Sequence, residues 1–406
     1  MSRREAGRFV VVVLDGFGVG EMPDVPEVRP QDKGSNTCLH IFEKVPELYL
    51  PTLEELGLVN IAGQLPGTMR PSGAAVWGKA MLRHHGADTF FGHQEIMGTN
   101  PRELRYEQLA DRIDEIERTI AKSGFAVQRY KEGAHGMLIV DECVTIADNI
   151  ECDPGQAINV TAAIDDIEFD RVLKIGRLVR SIVTTPRVIA FGGRGVRLTD
   201  LLRAVEIHGD LIGVNAPASG VYNNDYHCIH MGYGVDAQVQ APTILGKAGV
   251  PVFLLGKVAD VVANDFGTSI SWVDTAEVLA KTAKLISENS AGFFCVNVQE
   301  TDLCGHRENA AAYAQKLEEA DKGIAKIIEL MSHKDILIVM ADHGNDPTIG
   351  HPHHTRELVP LMIRCGIQGP VEIGVRKTLA DVGTTACDYF DAKHPESGES
   401  YLNLII

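Results

Sequence analysis

Two uninterrupted apolar runs near opposite ends of the chain, Phe9 to Leu14 (FVVVVL) and Ile336 to Met340 (ILIVM), constrain the fold more than any other feature. β-Branched residues with no polar alternate suit a strand buried on both faces, and such strands belong to parallel sheets covered by helices. Val252 to Leu255 and Phe293 to Val298 read as two more strands of this kind. Between them, Tyr313, Leu317, Ala320, Ile324, Ile327 and Met331 recur at spacings of three and four, which draws one apolar stripe along an amphipathic helix. Asp274 with Glu277 forms a capping-box pattern for a helix running through Leu285. Strand and helix in this alternation predict an α/β fold with a layered core and a mainly parallel sheet.

Residues 101–234 have a different texture. A charged helical opening from Glu103 to Lys122 is followed by short strand-like runs, Met137 to Val140 and Val188 to Phe191, broken by Gly, Pro and Asn. Core-type strands occur on both sides of this stretch. It is therefore expected to be an α+β cap domain inserted into a core made of residues 1–100 and 235–406.

Composition narrows the function. With 38 basic against 55 acidic residues among 406, the net charge is −17, a field that repels polyphosphate backbones and argues against a nucleic-acid partner. An acidic chain that handles phosphate needs metal ions to help. No apolar run approaches the roughly 20 residues of a membrane span, and MSRREAGR lacks the apolar core of a secretory signal, so neither membrane nor export is expected. The eight cysteines are scattered without a C-x-x-C pair, which favours reduced thiols and a cytoplasmic setting. Nothing in the residues sets an oligomeric state.

In open α/β sheets, ligands bind beyond the carboxyl ends of the strands, so the polar residues placed there carry the most weight. Asp15 ends the first strand, Asp302 and His306 follow the Phe293 strand, Asp342 and His343 end the Ile336 strand, and HPHHTRE supplies His351, His353 and His354. Carboxylates with imidazoles fit Zn, Mn or Fe better than Ca. Singly, each has a bland alternative, an N-cap for the aspartates and a satisfied surface residue for the histidines. Jointly they suggest two divalent cations roughly 3.5–4 Å apart, the arrangement that stabilises both oxygens of an in-line phosphoryl displacement. Thr89, in GADTFFGHQEIMG before an expected turn at Gly92-His93, offers a nucleophile that metal coordination would activate. Gly16-Phe17-Gly18-Val19-Gly20 imitates a dinucleotide fingerprint but has Glu21 where the last glycine belongs. There is no phosphate-loop motif and no G-x-S-x-G elbow. Cys143 and Cys152 lie too far apart for zinc-ligand spacing.

LDGFGVGEMPD, GSNT, GADTFFGHQEIMG, NVQETDLCGHRE, ADHGNDPTIGHPHHTREL and RKTLADVGTTACDYF…SGESYLNL together resemble the phosphopentomutases, a family within the alkaline phosphatase superfamily. The resemblance implies an alkaline-phosphatase-like core with an inserted cap and two manganese ions. Carried over by motif, Asp15, Asp342 and His343 would hold one ion, and Asp302, His306 and His354 the other. Thr89 falls on the family's phosphorylated threonine, and Lys257 in LLGKVAD matches a G-K expected to contact a small phosphorylated sugar. The implied reaction exchanges ribose or deoxyribose 1-phosphate with the 5-phosphate through a bisphosphate. The alternative is a mutase or phosphatase with the same core and a different phosphorylated metabolite.

The chain also departs from the family pattern. Around Thr89, which the family embeds in a pattern similar to GKDTxTGHWE, Ala87 replaces lysine, Phe91 the second threonine and Gln94 the tryptophan. In the cap, stretches similar to RVIARPF and NRHDY carry arginines for the distal phosphate; here Phe191 and Asn223 stand in their places. Arg194 or Arg197 is available as a substitute, or is a solvated loop charge.

Overall fold

In the computed structural model, which describes residues 7–152, 154–367 and 369–406, the first apolar run becomes a strand, Arg8–Leu14, buried along its whole length. It lies between Gly292–Val298 and Ile336–Met340, parallel to both. The full sheet has the order Thr268–Ile270, Val252–Leu255, Gly292–Val298, Arg8–Leu14, Ile336–Met340, Val359–Arg364, Val76–Ala80, Val371–Arg376. Its first five strands are mutually parallel, whereas Val359–Arg364 runs antiparallel to both of its neighbours. Helix Ala310–Glu329 buries Tyr313, Leu317, Ala320, Ile324 and Ile327, the stripe read from the sequence except Met331, which lies past the helix end. Asp274 caps helix Thr275–Glu288 by accepting from the Glu277 N–H. Because adjacent parallel strands end on the same edge, the residues that follow them gather there however far apart they lie in the chain.

The opposite edge is held by a buried ion pair. Arg8 donates to Asp335 from its backbone N–H at 2.7 Å and from its guanidinium at 2.7 and 3.1 Å, and to the carbonyl oxygens of Ile286 and Leu330. One guanidinium thus ties two central strands to the ends of two covering helices. Removing one member of a buried pair leaves the other uncompensated, so Asp335→Ala is expected to lower the unfolding free energy by about 3 kcal/mol in a denaturant titration. Burial works against the Asp335 charge, yet the hydrogen bonds from Arg8 hold its carboxyl below the ordinary range. That contribution is present above the unfolded value of about 3.9 and is lost as the pH falls through the lower folded value.

The chain divides into two compact units, Met1–Pro101 with Asp236–Ile406 and Arg102–Val235. The second is α+β. Its six-stranded sheet has the order His227–Gly232, Arg187–Gly193, Ala157–Ala163, Val144–Asp148, His135–Val140, Val127–Glu132. Helices Leu109–Lys122 and Phe169–Arg180 contribute Leu109, Ile116, Ile120, Val172, Ile175 and Val179 to its own apolar cluster. The first helix starts at Leu109 rather than Glu103. Buried Asp148 accepts from the Leu109 N–H at 2.7 Å, and Glu107 is drawn to the Thr184 N–H and to Arg112, which keeps the preceding charged residues out of the helix. Among the described residues, no disulfide joins the cysteines, and no helix is long and apolar enough to cross a membrane.

Candidate active site

Thr89 opens a helix, Thr89–Ile96, capped by Asp88, whose side chain accepts from the Phe91 N–H at 3.0 Å. Gly92 and His93 lie inside this helix, not in the turn the sequence suggested. What Gly92 provides is close approach: a Cβ there would stand 2.8 Å from the Asp342 carbonyl oxygen. The helix can therefore lie against the Asp342-His343 segment, and the Thr89 hydroxyl donates to Asp342 Oδ2 at 2.7 Å. The loop entering the helix is gripped from both sides. Buried Glu95 accepts from the N–H groups of Arg83 and His84, while buried Arg356 donates to the carbonyls of Leu82, His84 and Gly86.

The candidate ligands converge at the carboxyl edge of the central strands. Asp15, Asp342 and His343 offer ligand atoms within 4.8 Å of one another, and so do Asp302, His343 and His354, so His343 belongs to both groups. Asp302 and His306 sit one turn apart on helix Glu300–His306, with His306 Nε2 3.4 Å from Asp302 Oδ2 and 3.1 Å from His354 Nε2. Of the other histidines in HPHHTRE, His351 pairs with Asp32 at 3.2 Å and His353 is exposed.

The imidazoles are oriented alike. Nδ1 of His343 faces the Gly344 carbonyl at 2.9 Å, that of His354 the Ala87 carbonyl at 2.8 Å, and that of His306 the Pro352 carbonyl at 2.6 Å. A carbonyl accepts only, so each network assigns the hydrogen to Nδ1 and leaves the Nε2 lone pair pointing inward. Lone pairs facing carboxylate oxygens and one another suit a cation between them. Consistent with this, Asp15 Oδ1 and His343 Nε2 are buried without a hydrogen-bond partner among the described residues. The donor set, carboxylate oxygen with imidazole nitrogen, fits a divalent transition metal.

Protons compete with a metal ion for that place. Although burial disfavours charge at each, Asp342 and Asp15 hold the His343 imidazole well above its ordinary pKa, and His343 and His93 hold Asp342 well below its own. The neighbouring His306 and His354 imidazoles likewise hold buried Asp302 well below its own. Lys257 extends its ammonium to Asp15 Oδ2 at 3.0 Å and Asp302 Oδ2 at 3.3 Å. The lysine expected to touch substrate therefore rests on two candidate ligand carboxylates.

Several residues at this site went unnoticed in the sequence. Asn297 Nδ2 donates to Asp15 at 3.0 Å, and Asn345 Nδ2 donates to Asp302 at 2.8 Å. His93 lies one turn beyond Thr89 and touches it. A polar residue interrupting the apolar Gly292–Val298 strand, and a histidine four places after a candidate nucleophile, were the available signals.

A family model described as Metalloenzyme superfamily matches residues 7–394. The phosphopentomutase of Thermotoga maritima is 31% identical, over 98% of this chain and 99% of that protein. That of Anaeromyxobacter dehalogenans is 30% identical, over 97% of each. The chain belongs to the phosphopentomutase family of the Metalloenzyme superfamily. Among solved structures, a phosphoglycerate mutase of Leishmania mexicana aligns with 100% of this chain and 99% of that one at 14% identity, with a TM-score of 0.46.

Two of the departures from the family pattern read in the sequence, Phe191 and Asn223, fall in the second unit. Phe191 is buried and packs against Tyr222 and Tyr226, with ring centroids 6.3 and 6.2 Å away. Arg194 is paired with Asp165 at 3.1 Å and Asp225 at 2.8 Å, and Arg197 is an exposed residue at the start of helix Leu198–Arg203. Two carboxylates already match the Arg194 charge.

Proposed function

We propose that this chain is a manganese-dependent phosphomutase that interconverts the 1- and 5-phosphates of ribose or deoxyribose through a phosphorylated Thr89. The observation that carries the reading is the place of the Thr89 hydroxyl, at a helix N-terminus and 2.7 Å from Asp342, a member of one of the two donor groups. In this reading Asp15, Asp342 and His343 hold one ion and Asp302, His306 and His354 the other. Bound ions would acidify the threonine hydroxyl and neutralise charge on the transferring phosphoryl group.

The chain's own residues do the rest. Phospho-Thr89 gives its phosphoryl group to the free hydroxyl of a pentose monophosphate, breaking the Oγ1–P bond and forming a pentose bisphosphate. The other phosphoryl group then passes back to Thr89 Oγ1, which leaves the isomeric monophosphate. The positive end of helix Thr89–Ile96 favours the charge of the phosphorylated side chain by about 0.3–1 kcal/mol. Lys257 offsets the carboxylates of Asp15 and Asp302 on which it rests.

One observation favours a second reading, in which the same core serves a different phosphorylated metabolite. The cap places Phe191 and Asn223 where the family resemblance calls for arginines, and its nearby Arg194 is committed to two aspartates. Loss of two charge-assisted contacts, each worth about 1.5–3 kcal/mol, would weaken the grip on a distal phosphate. The test is to prime the manganese-loaded protein with a sugar bisphosphate, add ribose 1-phosphate or 2-deoxyribose 1-phosphate, and follow phosphorus by NMR. Conversion to the 5-phosphate without free phosphate is the expected result. Phosphate release alone would make the chain a phosphatase, and no reaction with both ions bound would assign it another substrate.

A further inference from the structure

We infer that His93, held by Asn297, is the positioning residue that fixes Thr89 against the ligand carboxylates. The inference deepens the proposed function and rests on it for the identity of the nucleophile.

His93 is wholly buried, and both of its ring nitrogens are engaged. Nδ1 lies 2.8 Å from the Thr89 carbonyl oxygen, 3.4 Å from Thr89 Oγ1 and 3.2 Å from Asp342 Oδ2. Nε2 lies 3.0 Å from Asn297 Nδ2, and the same Nδ2 is 3.0 Å from Asp15 Oδ2. An amide NH2 has two hydrogens, one for each of these neighbours. Turning the amide over would set Oδ1 against the Asp15 carboxylate, so the network assigns the orientation. Nε2 of His93 is then an acceptor, and Nδ1 carries the hydrogen that it gives to the Thr89 carbonyl.

This separates His93 from the three other imidazoles. All four direct Nδ1 to a backbone carbonyl, but the Nε2 atoms of His306, His343 and His354 face carboxylates or one another, whereas that of His93 is closed by Asn297. His93 is thereby withheld from the ions and given to the nucleophile. Thr89 is located from three strand ends at once: Asn297 at the end of Gly292–Val298, Asp15 after Arg8–Leu14, and Asp342 after Ile336–Met340. A leucine could fill the buried volume of His93 without the desolvation that two polar nitrogens incur, so packing does not account for a histidine there. A nucleophile displaced by about 1 Å can lose 100-fold in rate.

The test compares His93→Leu, His93→Asn and Asn297→Leu with the unaltered chain, all manganese-loaded, by transfer from a pentose 1,5-bisphosphate to Thr89 followed by intact mass. His93→Leu is expected to slow phosphorylation about 100-fold with manganese affinity and KM unchanged. His93→Asn, which restores a donor near the Thr89 carbonyl, should recover at least about tenfold of that loss. Asn297→Leu should slow phosphorylation and also weaken manganese about tenfold, because Asp15 loses its donor. Ring nitrogen NMR should show the Nδ1–H tautomer of His93 in the unaltered chain, and in Asn297→Leu a shifted Nε2 signal as that nitrogen loses its donor. Equal phosphorylation of the unaltered chain and His93→Leu would overturn the role of His93 alone. A His93→Leu chain that loses manganese in step with rate, with no recovery in His93→Asn, would reduce His93 to a structural residue. An unaltered chain that never gains phosphate would overturn the mutase reading and the role of His93 with it.

Discussion

Thr89→Val is expected to lower kcat by roughly 10⁴-fold or more, the scale on which a covalent nucleophile is lost while electrostatic stabilisation remains. Valine keeps the shape of threonine and its preference at the start of a buried helix, so the loss is chemical. What disappears is the oxygen that donates to Asp342 Oδ2, a half-buried group whose hydrogen bond is worth about 1 kcal/mol to the fold. The melting temperature should therefore move little while turnover collapses. Thr89→Ser keeps an oxygen at the same helix N-terminus and should retain measurable turnover and a phosphorylated species by intact mass. The comparison is decisive because Thr89→Val alone lacks the oxygen, while Thr89→Ser alone lacks the methyl group. If Thr89→Val turned over at the unaltered rate, the phosphoryl group would have to travel by another route and Thr89 would be only the first residue of a helix.

Chelation is expected to produce the largest change in stability. Ions that bind only the folded chain stabilise it by mass action, about 2.7 kcal/mol for each site held at one hundred times its dissociation constant. Withdrawing them also leaves Asp15, Asp302 and Asp342 buried at one strand edge, with Lys257 bonded to two of them. EDTA should thus lower the melting temperature by several degrees, and added manganese should restore it. Asp302→Asn, which weakens one donor group, should respond less than the unaltered chain. A melting temperature indifferent to EDTA and manganese would count against ions at these residues, whatever the activity assays showed.

Much of the core was legible because its signals are local. Arg8–Leu14 and Ile336–Met340 advertise burial on both faces by having no polar alternate, and the stripe from Tyr313 to Ile327 has a period that only a helix satisfies. The helical opening at Glu103 was misplaced for the opposite reason: charged residues look helical in isolation, but a buried Asp148 and the pull of Thr184 and Arg112 on Glu107 set the start at Leu109. Gly92-His93 read as a turn because glycine usually marks one, whereas here it marks a place where two segments nearly touch.

The residue types and spacings were enough to nominate Asp15, Asp302, His306, Asp342, His343 and His354, since a parallel sheet must bring the ends of its strands to one edge, whereas Thr89 was nominated mainly by the family resemblance. They were not enough to say that His343 stands in both donor groups, that Lys257 rests on Asp15 and Asp302, or that Asn297 and His93 connect an aspartate to the nucleophile. Those are relations between side chains on different strands and helices. A strand's periodicity states which residues face the core, but the partner across a hydrogen bond depends on where another element, hundreds of residues away, is placed by packing.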